Sequence, residues 1–399
     1  MRRIGVAERR ARLCLRHRLV PARWAEHPVE VARDLVGLHG TEPASVFVAV
    51  WARTRSTRSV AVERALYDER TLTRMLGMRG TQFVVPVELA PVVQAACGRP
   101  SAARSRRKLV EQLGRAGIAE DPARWLAEIE QSTLRALAAR GEATAVELAG
   151  DEPRLREHVV VPGPPDSALR QPVAVSVLLL LAAEGRVVRT RPLGSWINNQ
   201  YRWAPTTTWF PDGVAHAIAD PNADPSTADA RVELVRRWLA AFGPGTVADL
   251  RWWTGWTTGE VTRALSRVGT VEVDLDGVAG LLLADDVEPA PAVEPSASLL
   301  ATLDSTVMGW SDRHWYLGDH RSALFDHRGN GGPTVWWDGR VVGGWAQRRG
   351  GEIVFRLLED AGADAVAAVE AAAQRLGDWL GTVRITPRFR TPLERELCS

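Results

Sequence analysis

The apolar positions of this chain change period repeatedly, which predicts short helices alternating with short strands. In "VEVARDLVGLHGTEPASVFVAVWARTR" a helical spacing of apolar residues is broken by the polar cluster His39-Gly40-Thr41-Glu42-Pro43 and resumes at Val46. The next stretch, "ERTLTRMLGMRGTQFVVP", is β-rich around a glycine. The same order recurs in "GEATAVELAGDEPRLREHVV" followed by "VAVSVLLLLAAEGRVVRTRPLGSW", and again in "GPGTVADLRWWTGWTTGEVTRALSRVGTVEVDLDGVAGLLL". Helix, turn, helix and a β-rich hairpin make a winged helix-turn-helix unit. The third copy is the cleanest: Thr246 is the expected N-cap, Gly255 the turn, and Thr258 the opening of the next helix.

After Leu283 the pattern lapses into "ADDVEPAPAVEPSAS", acidic and rich in Pro and Ala, which reads as a connection. A meander follows in "TVWWDGRVVGGWAQRRGGEIVFRLL". There Asp338-Gly339 is a two-residue hairpin signal between alternating apolar runs, and Arg348 to Gly351 make the next turn. "DAVAAVEAAAQRLGDWL" is an Ala-rich helix and "GTVRITPRF" a final strand. The pattern therefore predicts a mainly α chain with β wings. Three tandem winged helices occupy 1–100, 101–215 and 216–284, and 285–399 holds the linker and a small β-barrel or half-barrel closed by one helix.

Composition adds bounds. At 399 residues the chain exceeds what one core of ~250–300 residues comfortably fills. A formal net charge of +2 announces no global basic field. The cations are nevertheless unusual, since Lys108 is the only lysine among 50 Lys and Arg residues. A GC-rich genome explains most of that bias, yet arginine forks also suit phosphates and guanine edges. Three scattered cysteines, Cys14, Cys97 and Cys398, form no pair motif, so disulfides and a thiolate metal site are not expected. The start, "MRRIGVAERRARLCLRHRLV", carries charges too closely spaced for a signal peptide. The longest apolar run, Val173 to Ala183, falls short of the ~20 residues a bilayer span needs. A cytoplasmic monomer is expected, nucleoid-associated when bound to DNA.

Three segments, "LVGLHGTEPASVFVAVWAR", "RTRPLGSWINNQYRWAP" and "LDSTVMGW…TVWWDGRVVGGWAQ", resemble the AlkZ/YcaQ-type winged-helix DNA glycosylases, in order and over nearly the whole chain. The resemblance implies a C-shaped protein of three tandem winged helices and a C-terminal β-barrel. It further implies a monofunctional enzyme, without metal or organic cofactor, that hydrolyses the N-glycosidic bond of bulky N7-alkylated purines in duplex DNA. General repair or self-resistance to an alkylating metabolite would be its setting. The family's catalytic pair, Gln-x-Gln or Gln-x-Asp, lies in the bend of the first winged helix, where this chain has His39 and Thr41.

An N7-alkylated guanine is already cationic, so its departure needs no strong acid. What remains is to stabilise an oxocarbenium-like sugar and present water to C1′. A neutral imidazole at His39 can accept a proton from that water, Thr41 can hold it by its hydroxyl, and Gly40 lets the backbone approach the sugar closely. The same string also serves as a plain connector, in which Gly40 stops one helix, Thr41 caps the next and Pro43 sits early in it. Glu42 and Asp34 are nearby carboxylates, although helical spacing turns Asp34 to another face.

For DNA contacts the wings offer Arg74, Arg79 and Thr81 in the first unit and Arg186, Arg189 and Arg191 in the second. "GSWINNQYRWAP" adds Asn198, Asn199, Gln200 and Arg202, suited to base edges and sugars, with Trp196 and Trp203 as scaffold anchors. His314, His320 and His327, each near an aspartate, lack the spacing of known zinc motifs, so no metal is expected. Duplex DNA is thus the expected partner. A non-catalytic winged-helix DNA-binding protein (a lesion sensor or transcription regulator) and a protein that sequesters a genotoxic metabolite remain alternative readings.

Overall fold

Thr246 does cap a helix: its hydroxyl accepts from Asp249 N, while Asp249 Oδ2 accepts from Thr246 N. The helix Val247–Thr254 then ends at Gly255 in the left-handed region (φ 75°), where glycine carries no Cβ penalty. Thr257 caps the helix Thr258–Leu265 in the same reciprocal way, and the antiparallel hairpin Thr270–Leu275/Val278–Leu283 follows. The order helix, turn, helix, hairpin is therefore present here. One element has no signal in the sequence pattern: Arg2–Arg3 adds as a parallel strand to Thr270–Leu275, with Ile4, Val273, Leu275 and Leu282 buried together beneath.

This is a computed structural model that describes residues 1–55, 58–161, 169–220 and 222–399. It divides into two compact units. One comprises Met1–Leu72, Thr81–Pro86 and Val232–Ser399, and the other Thr73–Gly80 and Val87–Arg231. Among the described residues the architecture mixes helices with small sheets, none of them closed.

In the first unit, an aromatic cluster fills the centre. Trp238, Phe242, Trp253, Trp310, Trp315 and Tyr316 pack ring against ring at centroid separations of 4.8–6.4 Å. The C-terminal meander forms as a four-stranded antiparallel sheet, Ala297–Leu300, Thr334–Trp337, Arg340–Gln347 and Ile353–Leu357. Asp338 (φ 49°) and Gly339 (φ 72°) make its tightest turn, both in the left-handed region that a two-residue hairpin requires. The sheet is open, with Ala297–Leu300 and Ile353–Leu357 at its edges, so the expected barrel does not close. "GTVRITPRF" is not a strand either. Instead of joining a sheet edge, its Val383 O and Ile385 N bond the side-chain amide of Gln347, which substitutes for a neighbouring backbone. The anticipated helix Ala363–Leu380 is present, and a further helix, Pro392–Cys398, capped by Thr391, follows "GTVRITPRF" and packs on Arg340–Gln347.

The acidic connection is anchored rather than loose. Asp286 accepts from both Arg12 and Arg16 of the helix Val6–Arg16, so the basic start of the chain is occupied with internal carboxylates. The second unit is built on the helices Arg99–Arg115, Pro122–Arg140, Ala145–Asp151 and Val173–Ala183, whose Leu109, Leu113, Leu126, Ile129, Leu178 and Leu181 share one core. Thr144 caps Ala145–Asp151 with Glu147 returning the bond. Between the last two helices a small hairpin, His158–Val161 with Leu169–Pro172, interrupts the expected helix-turn-helix. No helix among the described residues is long and apolar enough to cross a membrane.

Candidate active site

The motif Asp304-Ser305-Thr306 organises the region around His39. Asp304 forms a wholly buried, two-pronged ion pair with Arg53 (2.7 and 2.9 Å). Arg53 also donates to His17 O, Ala49 O and Thr306 Oγ1, so its fork ties three segments together. Thr306 Oγ1 lies 2.8 Å from His17 Nδ1, and Ala241 O lies 3.1 Å from Nε2. A carbonyl only accepts, so Nε2 carries the proton and Nδ1 accepts from the threonine hydroxyl. Burial accordingly pushes the His17 imidazolium down to a pKa of about 3, helped by the Arg53 charge. Between Asp304 and Thr306 in the chain, Ser305 Oγ donates to Gly37 O (2.9 Å) and accepts from His39 N (3.2 Å).

The bend itself differs from a simple helix-to-helix connector. The helix Pro28–Asp34 is stopped by Val36 (φ 51°) and Gly37 (φ 106°), not by Gly40. Leu38–His39 then forms a two-residue strand against Gln82–Pro86, with His39 opposite Phe83 and Gly40 N donating to Gln82 O. The helix Pro43–Trp51 begins with Pro43 at its first position, but its N-cap is Glu42, without a side-chain bond. Thr41 is exposed and does not cap that helix. His39 is only 5% exposed, its ring lies 5.1 Å from that of Phe83, and its Nε2 is 3.4 Å from Thr81 Oγ1. The geometry thus joins His39 to Thr81, a residue that sequence alone places among the DNA contacts. Ser305, which holds the His39 backbone, has no sequence signal beyond its place in the "LDSTVMGW" stretch. Burial raises the carboxyl pKa of Glu42, opposed by a bond from the Arg388 backbone. Asp34 is turned away, paired with Arg18 Nε at 2.6 Å.

In the second unit the hairpin Val187–Pro192/Tyr201–Pro205 carries most of the expected DNA contacts. Arg189 lies over the rings of Tyr201 (5.4 Å) and Trp203 (5.2 Å), and Arg74 over Tyr201 (5.3 Å). Burial, with repulsion from Arg74, pushes Arg189 down to about 10, so it remains charged at neutral pH. Arg74 is buried, Arg79 half-buried (φ 54°), and Arg191 exposed. Arg186 lies 3.7 Å from both Glu130 and Glu184, and Arg202 donates to Glu142 O, so these two are held by the scaffold. Asn198 shapes its own loop by donating to Leu193 O and accepting from Gln200 N, while Asn199 and Gln200 are exposed. Trp196 and Trp203 are buried, as anchors should be.

The histidines of the C-terminal loop disperse. His320 Nε2 meets Glu359 at 3.0 Å, and His314 lies near Asp319. Among the described residues no three His, Cys, Asp or Glu side chains converge as metal ligands. Burial raises the thiols of Cys14 and Cys97 to about 12, which keeps them unreactive.

The sequence model of the AlkZ-like DNA glycosylase family matches residues 32–379. No curated protein matches the chain. Among solved structures, the Streptomyces sahachiroi DNA glycosylase AlkZ is similar in fold, with a TM-score of 0.71 at 21% identity, covering 97% of this chain and 99% of that one. A family match across that span, on a chain whose fold is shared end to end, establishes that this protein belongs to the AlkZ-like DNA glycosylase family.

Proposed function

We propose that this protein is a monofunctional glycosylase that removes N7-alkylated purines from duplex DNA, with His39 directing the attacking water. The observation that carries this reading is the setting of His39 in the slot that resemblance assigns to catalysis. Strand pairing, Ser305 and Phe83 fix the residue, and its Nε2 stands 3.4 Å from a threonine hydroxyl. That separation is long for an O–H···N bond, so the Thr81 hydroxyl can turn to a water lying beside the pair. Thr81 would orient that water, His39 would take its proton as it attacks C1′, and the cationic base would leave without an acid. The exposed Thr41 would meet the DNA itself. Glu42, whose carboxyl pKa is raised by burial, would be drawn toward its ionised form by a developing sugar cation.

The two units would bind duplex DNA through winged helices, with the ring-backed Arg189 and the exposed Arg191 on phosphates and Asn199 and Gln200 on the groove. The chain would act as a cytoplasmic monomer, without metal or organic cofactor.

The test is single-turnover excision on a duplex carrying one N7-alkylguanine. His39→Ala should lower the rate by ~10²–10⁴, the usual cost of losing a general base, with DNA affinity kept. The wild-type rate should fall on acidification, because a protonated imidazole cannot accept a proton. Wild-type rates in His39→Ala together with a lower melting temperature would make His39 a connector residue. Tight duplex binding by a wild type that releases no base would favour the non-catalytic DNA-binding protein instead.

A further inference from the structure

We propose that the first unit carries a second ligand site, a cavity of about 300 Å³ walled by Trp24, Trp51 and Trp379, that accepts a purine nucleotide. Its volume stands at the small end of the ~300–1,000 Å³ typical of small-molecule pockets. It is separate from His39, because the helix Pro43–Trp51 rises about 12 Å from its first residue to Trp51.

Three elements far apart in sequence build it. Ala25 N donates to Arg53 O, so the buried Arg53 anchor also fixes the neighbouring Trp24. Trp51 ends its helix, and Trp379 comes from the helix Ala363–Leu380, which packs on Ala297–Leu300. The Trp51 and Trp379 rings stand 6.2 Å apart at 41°, an open wedge rather than a stack. Such a wedge offers flat apolar faces to a planar ring.

The cations and the indole donor around it are uncommitted. Arg375 lies 5.9 Å over the Trp24 ring, and neither the Arg375 nor the Arg58 side chain makes a hydrogen bond or ion pair among the described residues. The indole N–H of Trp24 is buried without a partner, which costs free energy unless an acceptor arrives. By contrast, Arg55 on the same wall is already within 3.4 Å of Glu26, and the carboxylate of Asp378 accepts from Gln374. An apolar ligand would cover two guanidinium groups and an indole donor without pairing them. A bare phosphate would leave three tryptophan faces unused. A flat heterocycle with ring acceptors and a phosphate satisfies both sets, and a purine nucleotide is that combination. Family membership bears only on the choice of nucleotide over other aromatic anions. The proposal does not depend on excision at His39.

Titration of the full chain with dGMP, followed by tryptophan fluorescence, tests it. Saturable quenching is expected. The double variant Arg58→Ala/Arg375→Ala should weaken binding by about 10–100-fold, the usual effect of removing charge-assisted hydrogen bonds, with an unchanged melting curve because both side chains are exposed. Trp24→Phe keeps the ring but removes the donor, and should weaken binding less than the double variant. Deoxyguanosine, lacking the phosphate, should bind like dGMP does to the double variant. A single-stranded hexanucleotide that displaces dGMP identifies a strand as the source of the nucleotide, and failure to displace identifies free nucleotide. No saturation at millimolar dGMP, or identical affinity in the double variant, would overturn the proposal.

Discussion

Arg53 and Arg189 show two opposite uses of the same side chain. Arg53 is fully buried, and its fork meets Asp304, Thr306 and two backbone carbonyls. Arg189 is desolvated as well, yet it rests on the faces of Tyr201 and Trp203, pairs with no carboxylate among the described residues, and feels the charge of another arginine, Arg74. The first arrangement completes an interior. The second holds a cation against aromatic faces, with no carboxylate beside it among the described residues. In a chain with so many arginines, the number says little about DNA binding, and the partner of each guanidinium says more. Arg12 and Arg16, committed to Asp286, belong with Arg53 in this respect.

The largest effect should come from breaking the inward set. Arg53→Ala strands Asp304 in the core, and removing one member of a buried pair costs ~3–5 kcal/mol. Denaturant unfolding should show that loss, whereas replacing both residues with apolar ones of similar size should recover much of it. A small change in Arg53→Ala would mean that the pair is not the anchor its geometry suggests.

The same network should respond to acid. His17 has its folded pKa lowered from 6.5 to about 3, so the unfolded chain binds more protons between those values. Stability should therefore be undiminished above pH 6.5 and fall as the pH drops toward 3, by at most ~1.4 kcal/mol per unit from this group. His17→Gln should flatten that part of the pH–stability curve.

The outward set should matter for binding and little for folding. Arg189→Ala with Arg191→Ala should reduce the salt dependence of duplex affinity, by ~0.9 in log–log slope for each phosphate no longer neutralised. An unchanged slope would move the DNA-binding face to other residues. The smallest effect should come from an exposed pair, Arg140 with Asp151. Asp151→Asn should leave the melting temperature within about 1 °C, because exposed ion pairs are screened by solvent.

Much of the local structure is legible in the residues alone. Thr144 and Thr246 announce helix starts because a cap needs only a hydroxyl three residues ahead of an amide. Asp338-Gly339 announces a hairpin because only a few residue types tolerate two left-handed positions in succession. "GTVRITPRF" misleads for an instructive reason: alternation marks strand-like sequence, but a strand also needs an edge, and here Gln347 bonds the backbone instead. The bend at His39 can be located from the sequence, but its internal geometry cannot. The partner strand that turns it into a short β-bridge lies more than 40 residues downstream.

By itself the sequence determined where helices start, where hairpins turn, which family the three segments resemble and where in the chain the candidate catalytic bend falls. These all depend on neighbours within a few residues, whose spacing the covalent chain sets. Only the tertiary structure decided that Thr81 rather than Thr41 meets the His39 ring, that Ser305 holds its backbone, and that Arg53 meets a carboxylate while Arg189 rests on aromatic rings. Those assignments depend on which groups lose their water together. Residues 251 positions apart, such as Arg53 and Asp304, become partners only when packing brings both charges out of solvent at the same place.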